Sequence, residues 1–316
     1  MSKKKKSSRP AGAALIASLS FLRSRPTLAF AVAVAVVQAS SCGLELAWLP
    51  GQQSKAPTVG QPAPVPAPIT QGIQTHFAQC PQFFPPGGMP VVPQRPGQGT
   101  LRELCYDSFA ILHSGDTRTP VFVAQRLNRR MLEQGEGIKR TDRFFADARL
   151  PGRERAELSD YKGSGYSRGH MAPAGDMPNM TAMAQSFTLA NMVPQDQKHN
   201  AGAWARIEAD TRAYAMRAKG DVYVITGPVF ERGAQRIGPN QVAVPSHLFK
   251  LVHDRTTGRS WVHWQENAPR KKAAPPISYL ELMQRTGLEL LPGRPAGQVV
   301  RQPAKQPAKA RQAAAD

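Results

Sequence analysis

The sequence predicts an α+β fold: a central, mostly antiparallel sheet flanked by helices. Two observations predict it. Short apolar runs rich in β-branched and aromatic residues stand before and after a helical middle, and hairpin-type turns join them. The first pair covers 108–113 and 120–124, split by the turn residues Ser-Gly-Asp-Thr-Arg. The middle reads as two helices, 181–190 and 203–219. In the second, Ala203, Ile207, Tyr214 and Ala218 recur at helical spacing. Strands return at 221–226, ended by Gly227-Pro228, and at 243–252 and 260–264 around the turn 254–258.

The flanks differ in composition from this middle. Lys3 to Lys6, Arg9, Arg23 and Arg25 precede the apolar run that begins at Leu28, the order that keeps an N-terminus cytoplasmic and threads the downstream chain outward. Residues 1–25 are therefore read as a basic cytoplasmic N-terminus. Residues 26–49 are read as either a cleaved signal peptide or a membrane-spanning signal anchor, since both lengths can be counted there. Residues 50–72 form a Pro-rich linker, because Pro62-Ala-Pro-Val-Pro-Ala-Pro68 cannot pack a core. The globular domain is expected over 73–293, with a disordered basic tail over 294–316. Cys80 and Cys105 flank the domain's entrance. They are either two buried thiols or, in an oxidising compartment, a disulfide closing a loop of about 25 residues that adds about 3 kcal/mol.

The 316-residue chain carries 41 Lys+Arg against 22 Asp+Glu, a formal net charge of +19. The first 26 residues hold seven basic side chains and no acid, and the last 23 hold five and one, which leaves about +8 for the middle. That excess points to a polyanionic partner, nucleic acid or an anionic membrane surface. With 41% hydrophobic residues and three cysteines, wholly disordered, collagen-like and disulfide-dense classes are excluded.

The chemistry concentrates between Arg140 and Glu208. In Tyr166-Ser-Arg-Gly-His-Met-Ala-Pro173, a glycine that permits close backbone approach precedes His170, with Arg168 two positions before the histidine. In a strand, residues two apart share a face, so Arg168 and His170 can address one group. Downstream, Asn200 opens a helix, and Glu208 lies two turns on along nearly the same side. A neutral imidazole can take a proton from water near pH 7. An arginine and a divalent ion can balance the charge that gathers on a phosphorane-like transition state. Ligation by one amide oxygen plus waters suits Mg²⁺, with a carboxylate such as Glu208 orienting those waters.

Three segments together, Tyr166 to Pro173, Leu189-Ala-Asn-Met-Val-Pro-Gln195 and Asn200-Ala-Gly-Ala-Trp-Ala-Arg-Ile-Glu208, resemble the DNA/RNA non-specific endonuclease family. This is the group of Serratia-type and endonuclease G-like nucleases with a ββα-metal (His-Me finger) active site. The resemblance covers about residues 100–290 and implies roles residue by residue. His170 matches the general base, Asn200 the single direct protein ligand of Mg²⁺, and Arg168 the motif arginine beside the scissile phosphate. Glu208 matches the carboxylate that holds the metal's water shell, and Asn191 an asparagine near the site. Either Arg140 or Arg143 matches an upstream arginine that stabilises the transition state, with Arg140 preferred. The resemblance further implies DNA and RNA as substrates, 5′-phosphate and 3′-hydroxyl products, Mn²⁺ as a substitute ion, and relatives that form homodimers. One departure stands out: Ser167 occupies the place of the usual aspartate. On this reading the chain is an exported enzyme, periplasmic or held at the inner membrane by its N-terminal segment. Two alternatives stay open in the sequence, a catalytically weak nucleic-acid-binding module of the same fold and an exported envelope structural protein.

Overall fold

A computed structural model describes residues 72–94, 99–269 and 272–293. The expected signal or anchor at 26–49, most of the linker and the basic tail lie outside the described residues. Among the described residues no helix is long and apolar enough to cross a membrane.

A short hairpin of β1 (Gly72–Gln74) and β2 (Val91–Pro93) leads into the sheet. β3 (Leu101–Cys105), β4 (Ala110–Ser114) and β5 (Thr119–Leu127) form an antiparallel meander. The chain then leaves through α1 (Arg129–Gln134), whose first turn is capped by the Asn128 side chain, and the one-turn α2 (Leu158–Tyr161). A separate pair, β6 (Ser167–His170) and β7 (Met192–Gln195), brackets α3 (Met180–Ser186). Next come α4 (Gln197–His199), a π-helical turn over Asn200–Trp204, and α5 (Ala205–Ala215). The chain returns through β8 (Val222–Val229), the small pair β9 (Arg236–Ile237) and β10 (Val242–Ala243), β11 (His247–Asp254) and β12 (Ser260–Glu266), and ends on α6 (Tyr279–Thr286). The six main strands order as β12-β11-β8-β5-β4-β3, all antiparallel, so the predicted fold class holds.

Strand alternation divides the core between the two faces of this sheet. On one face Phe122, Ala124, Ile225, Phe249 and Leu251 pack against Phe77, Phe83 and Phe84 of the entry segment and Leu282, Leu290 and Leu291 at the exit. The Cys80–Cys105 disulfide fastens that entry segment to β3. On the other face Ile111, Val123 and Leu248 meet Met183 of α3 and Trp204 and Ile207 of the helical run through α5. This second layer carries the chemistry.

Two predicted elements differ in extent. The single strand expected over 243–252 is broken into β10 and β11, with Pro245 between them unable to donate to a ladder. The helix expected over 181–190 stops at Ser186 and resumes as a 3-10 turn over Leu189–Asn191, whose first turn the Thr188 hydroxyl caps.

Candidate active site

The site begins at the β6–β7 pair, where Arg168 faces Pro194, Gly169 faces Val193 and His170 faces Met192. Alternation sends the Arg168 and His170 side chains to one side. Between them no side chain fits. A Cβ on Gly169 would stand 2.1 Å from Gln195 Oε1 and 2.6 Å from its Cβ. The glycine of the Arg-Gly-His motif is thus required by the neighbouring strand.

The turn after His170 is tied down by Asn191. Its Oδ1 accepts from the Ala172 N–H at 2.9 Å, its Nδ2 donates to Ala172 O and Ser186 O at 2.9 Å each, and its own carbonyl accepts from the Met171 N–H at 3.0 Å. Asn191 has no solvent exposure, and its carboxamide is spent on backbone. Asn191 thus lies next to the site and braces from behind the loop that carries His170.

Arg140, Arg168, His170, Asn200, Glu208 and Arg212 line one groove of about 920 Å³. Of the two upstream arginines, Arg140 reaches this groove, while Arg143 is exposed and does not line it. The alignment of Asn200 with Glu208 has a specific cause. In a regular helix, eight residues turn through two full circles plus about 80°. The π-helical turn over Asn200–Trp204 absorbs about one extra residue and brings the remainder to within about 20° of alignment. Ligand-type carboxamide and carboxylate then lie along one stripe.

Burial first, and the Arg140 guanidinium after it, lower the His170 imidazole to about 3, with Asp142 opposing and Arg168 adding a smaller push downward. The ring is therefore neutral at physiological pH. Its Nε2 is buried and has no hydrogen-bond partner among the described residues. Glu208 is moved the other way, raised to about 7, chiefly by burial, with Lys250 and Arg212 pulling down and Asp176 adding to the rise. Glu208 and Arg212 on the groove wall form a charge cluster with the buried Asp176 and Lys250. Arg212 Nη1 donates to Asp176 Oδ1 at 2.9 Å, and the Lys250 ammonium, 1% exposed, donates to Thr226 Oγ1 at 2.8 Å. Two cations answer two carboxyls, which is what makes burying any of them tolerable.

The donor set fits a hard, well-hydrated divalent ion. Among the described residues no three His, Cys, Asp or Glu side chains gather to cage a metal. The Asn200 carboxamide and Glu208 carboxylate do share the groove. An ion that keeps most of its water needs little more.

His199 and His113 behave as packed side chains. His199 is buried with Nδ1 against Gln195 Nε2 at 3.1 Å, and His113 Nε2 meets Glu154 O at 2.8 Å. Trp204 is fully buried core. Sequence reasoning missed Phe144, Lys250 and Asp176. Lys250 did leave a trace, a lone cation in the apolar run His247-Leu-Phe-Lys-Leu-Val.

A strand presenting Arg168 and His170 across a groove from a carboxamide-bearing helix, all on one side of an antiparallel sheet, defines a class. The model of the DNA/RNA non-specific endonuclease family matches residues 91–295, and the chain belongs to that family. It is similar to the mitochondrial nuclease EXOG of Xenopus laevis, 40% identical over 164 residues (48% of this chain, 45% of that protein). The human mitochondrial nuclease EXOG is 38% identical over 167 residues (49% and 45%). Mitochondrial endonuclease G of Bos taurus is 32% identical over 216 residues (60% and 71%). The chain spans less than half the length of these two EXOG proteins. Among solved structures, a chain in the crystal structure of the EndoG/EndoGI complex superposes with a TM-score of 0.58 at 25% identity, covering 65% of this chain and 91% of that one.

Proposed function

We propose that this protein is a Mg²⁺-dependent, sequence-non-specific DNA/RNA endonuclease that hydrolyses phosphodiester bonds to 5′-phosphate and 3′-hydroxyl ends. The observation that carries this reading is the convergence of His170, Arg168, Arg140, Asn200 and Glu208 on one groove. His170, neutral above about pH 3, takes a proton from the water that attacks phosphorus. Arg168 and Arg140 balance the negative charge that grows on the phosphate oxygens. The Asn200 carboxamide oxygen would hold Mg²⁺ directly, and Glu208 would accept hydrogen bonds from its waters. Bound there, the ion supplies Lewis-acid stabilisation of the phosphate and of the departing 3′ oxygen. Phosphate contacts carry no direct sequence information, which accounts for low specificity.

The test is cleavage of plasmid DNA and of RNA by the full chain with Mg²⁺, with Mn²⁺ and with EDTA, the product ends being mapped. EDTA abolishes cleavage, and His170→Ala and Asn200→Ala each slow it about 10²- to 10⁴-fold. Variants that cut as fast as the parent would refute the mechanism and favour a binding module.

We further infer export. Support comes from the cationic-then-apolar order before residue 50 and from a Cys80–Cys105 disulfide of the kind that persists in oxidising compartments. A reporter active only outside the cytoplasm, fused after Pro68, checks this, and a silent fusion sinks it.

A further inference from the structure

A general-base imidazole is ordinarily oriented by the hydrogen bond that its second nitrogen donates to a carboxylate or a carbonyl. His170 lacks one, since its buried Nε2 has no partner among the described residues. What touches the ring instead is aromatic. Phe187 meets it edge-to-face, with centroids 5.1 Å apart and planes at 88°, and Phe144 lies tilted at 5.8 Å and 57°. The two phenyl rings meet each other edge-on at 5.0 Å and 79°. Each ring also carries a cation. The Arg168 guanidinium lies 4.1 Å from the centroid of Phe144, and that of Arg140 lies 5.1 Å from the centroid of Phe187.

The backbone holds these rings together. The Phe145 N–H donates to Phe187 O at 3.3 Å and the Leu189 N–H donates to Phe145 O at 2.8 Å, with a parallel bridge between Phe145 and Thr188. The segment bearing Arg140 and Phe144 is thereby laced to the segment bearing Phe187. Phe187 is fully buried; Phe144 is partly exposed on the groove wall.

We propose that Phe144 and Phe187 are positioning residues that orient the His170 imidazole by ring packing and seat Arg168 and Arg140 on their outer faces. One aromatic pair then fixes base and both cations in a single array. Such contacts restrict the imidazole without occupying either ring nitrogen. This inference rests on His170 being the general base, so the experiment separates the two.

Phe144→Leu, Phe144→Tyr, Phe187→Leu and His170→Ala are compared in the full chain. The measurements are kcat and KM on a fluorescent duplex with Mg²⁺, duplex binding in EDTA, and thermal melting. Misplacing the base lowers kcat roughly tenfold to a hundredfold in both leucine variants. KM and metal-free binding change by no more than about threefold, because ground-state contacts survive. Phe144→Tyr restores kcat to within about threefold of the parent, since it keeps the ring. Full kcat in Phe144→Leu, or equal loss in Phe144→Leu and Phe144→Tyr, overturns the positioning role. Should Phe187→Leu fail to fold, the Phe144 pair on the groove wall still decides. An inactive His170→Ala beside fully active leucine variants sinks the positioning role alone. An active His170→Ala sinks the general base, and the positioning role with it.

Discussion

Three ionisable side chains of the site layer are held far from their solution behaviour, and the signs of those shifts differ. Burial lowers His170 to about 3 and, with help from Lys250, lowers His263 to about 4, both from an ordinary 6.5. Burial raises Glu208 from 4.5 to about 7. A lowered histidine adds stability that is complete above pH 6.5 and is lost as pH falls toward its folded value, because the unfolded chain protonates first. A raised carboxyl does the reverse: its contribution is complete below pH 4.5 and fades as pH climbs through about 7. Between pH 7 and 4.5 the two effects oppose each other. From pH 6.5 to 4.5 two histidines outweigh one carboxyl, and below 4.5 that opposition ends while Asp147 and Asp254, held low by their hydrogen-bond partners, begin to protonate as well. The metal-free melting temperature is therefore expected to start falling as pH drops below about 6.5 and to fall more steeply below 4.5. A flat profile down to pH 3.5 would show that these imidazoles are not buried.

At the level of elements, much of the site was legible. The Arg-x-His spacing requires only that 168–170 be extended, and β6 supplies that. The Asn200–Glu208 helix was legible as well, though not the reason its two ends align. A spacing of eight residues leaves a skew of about 80° on an ordinary helix, and nothing in Asn-Ala-Gly-Ala-Trp announces the π-helical turn that removes it. The aromatic pair was equally hidden, because Phe144 and Phe187 are 43 positions apart and meet only through the laced segments around them. Pro245, by contrast, could have been taken as the break between β10 and β11 from sequence alone. The helical argument makes a prediction of its own. Deleting Ala201 should convert the π turn to a regular one and leave Asn200 seven residues before Glu208, still within about 20° of the stripe. Cleavage should therefore stay well above that of Asn200→Ala. A loss as deep as in that variant would mean that the π turn does more than align the pair.

For the molecule as a whole, the Cys80–Cys105 bridge joins the entry segment to the sheet across 25 residues of chain. Closing a loop of that length contributes about 3 kcal/mol, largely by restricting the unfolded ensemble. Reduction with the chain otherwise intact should lower the melting temperature by several degrees and leave kcat of the folded fraction unchanged, because the bridge sits on the sheet face opposite the groove. Loss of kcat along with stability would show that the entry segment reaches the chemistry. That same division of faces governs how the protein can be attached to anything. The segments next to residues 72 and 293 both pack on the layer turned away from the reacting groups. A leash at either end would thus pull on the back of the molecule, and a copy fastened to a surface could still let a long polymer pass through its open front.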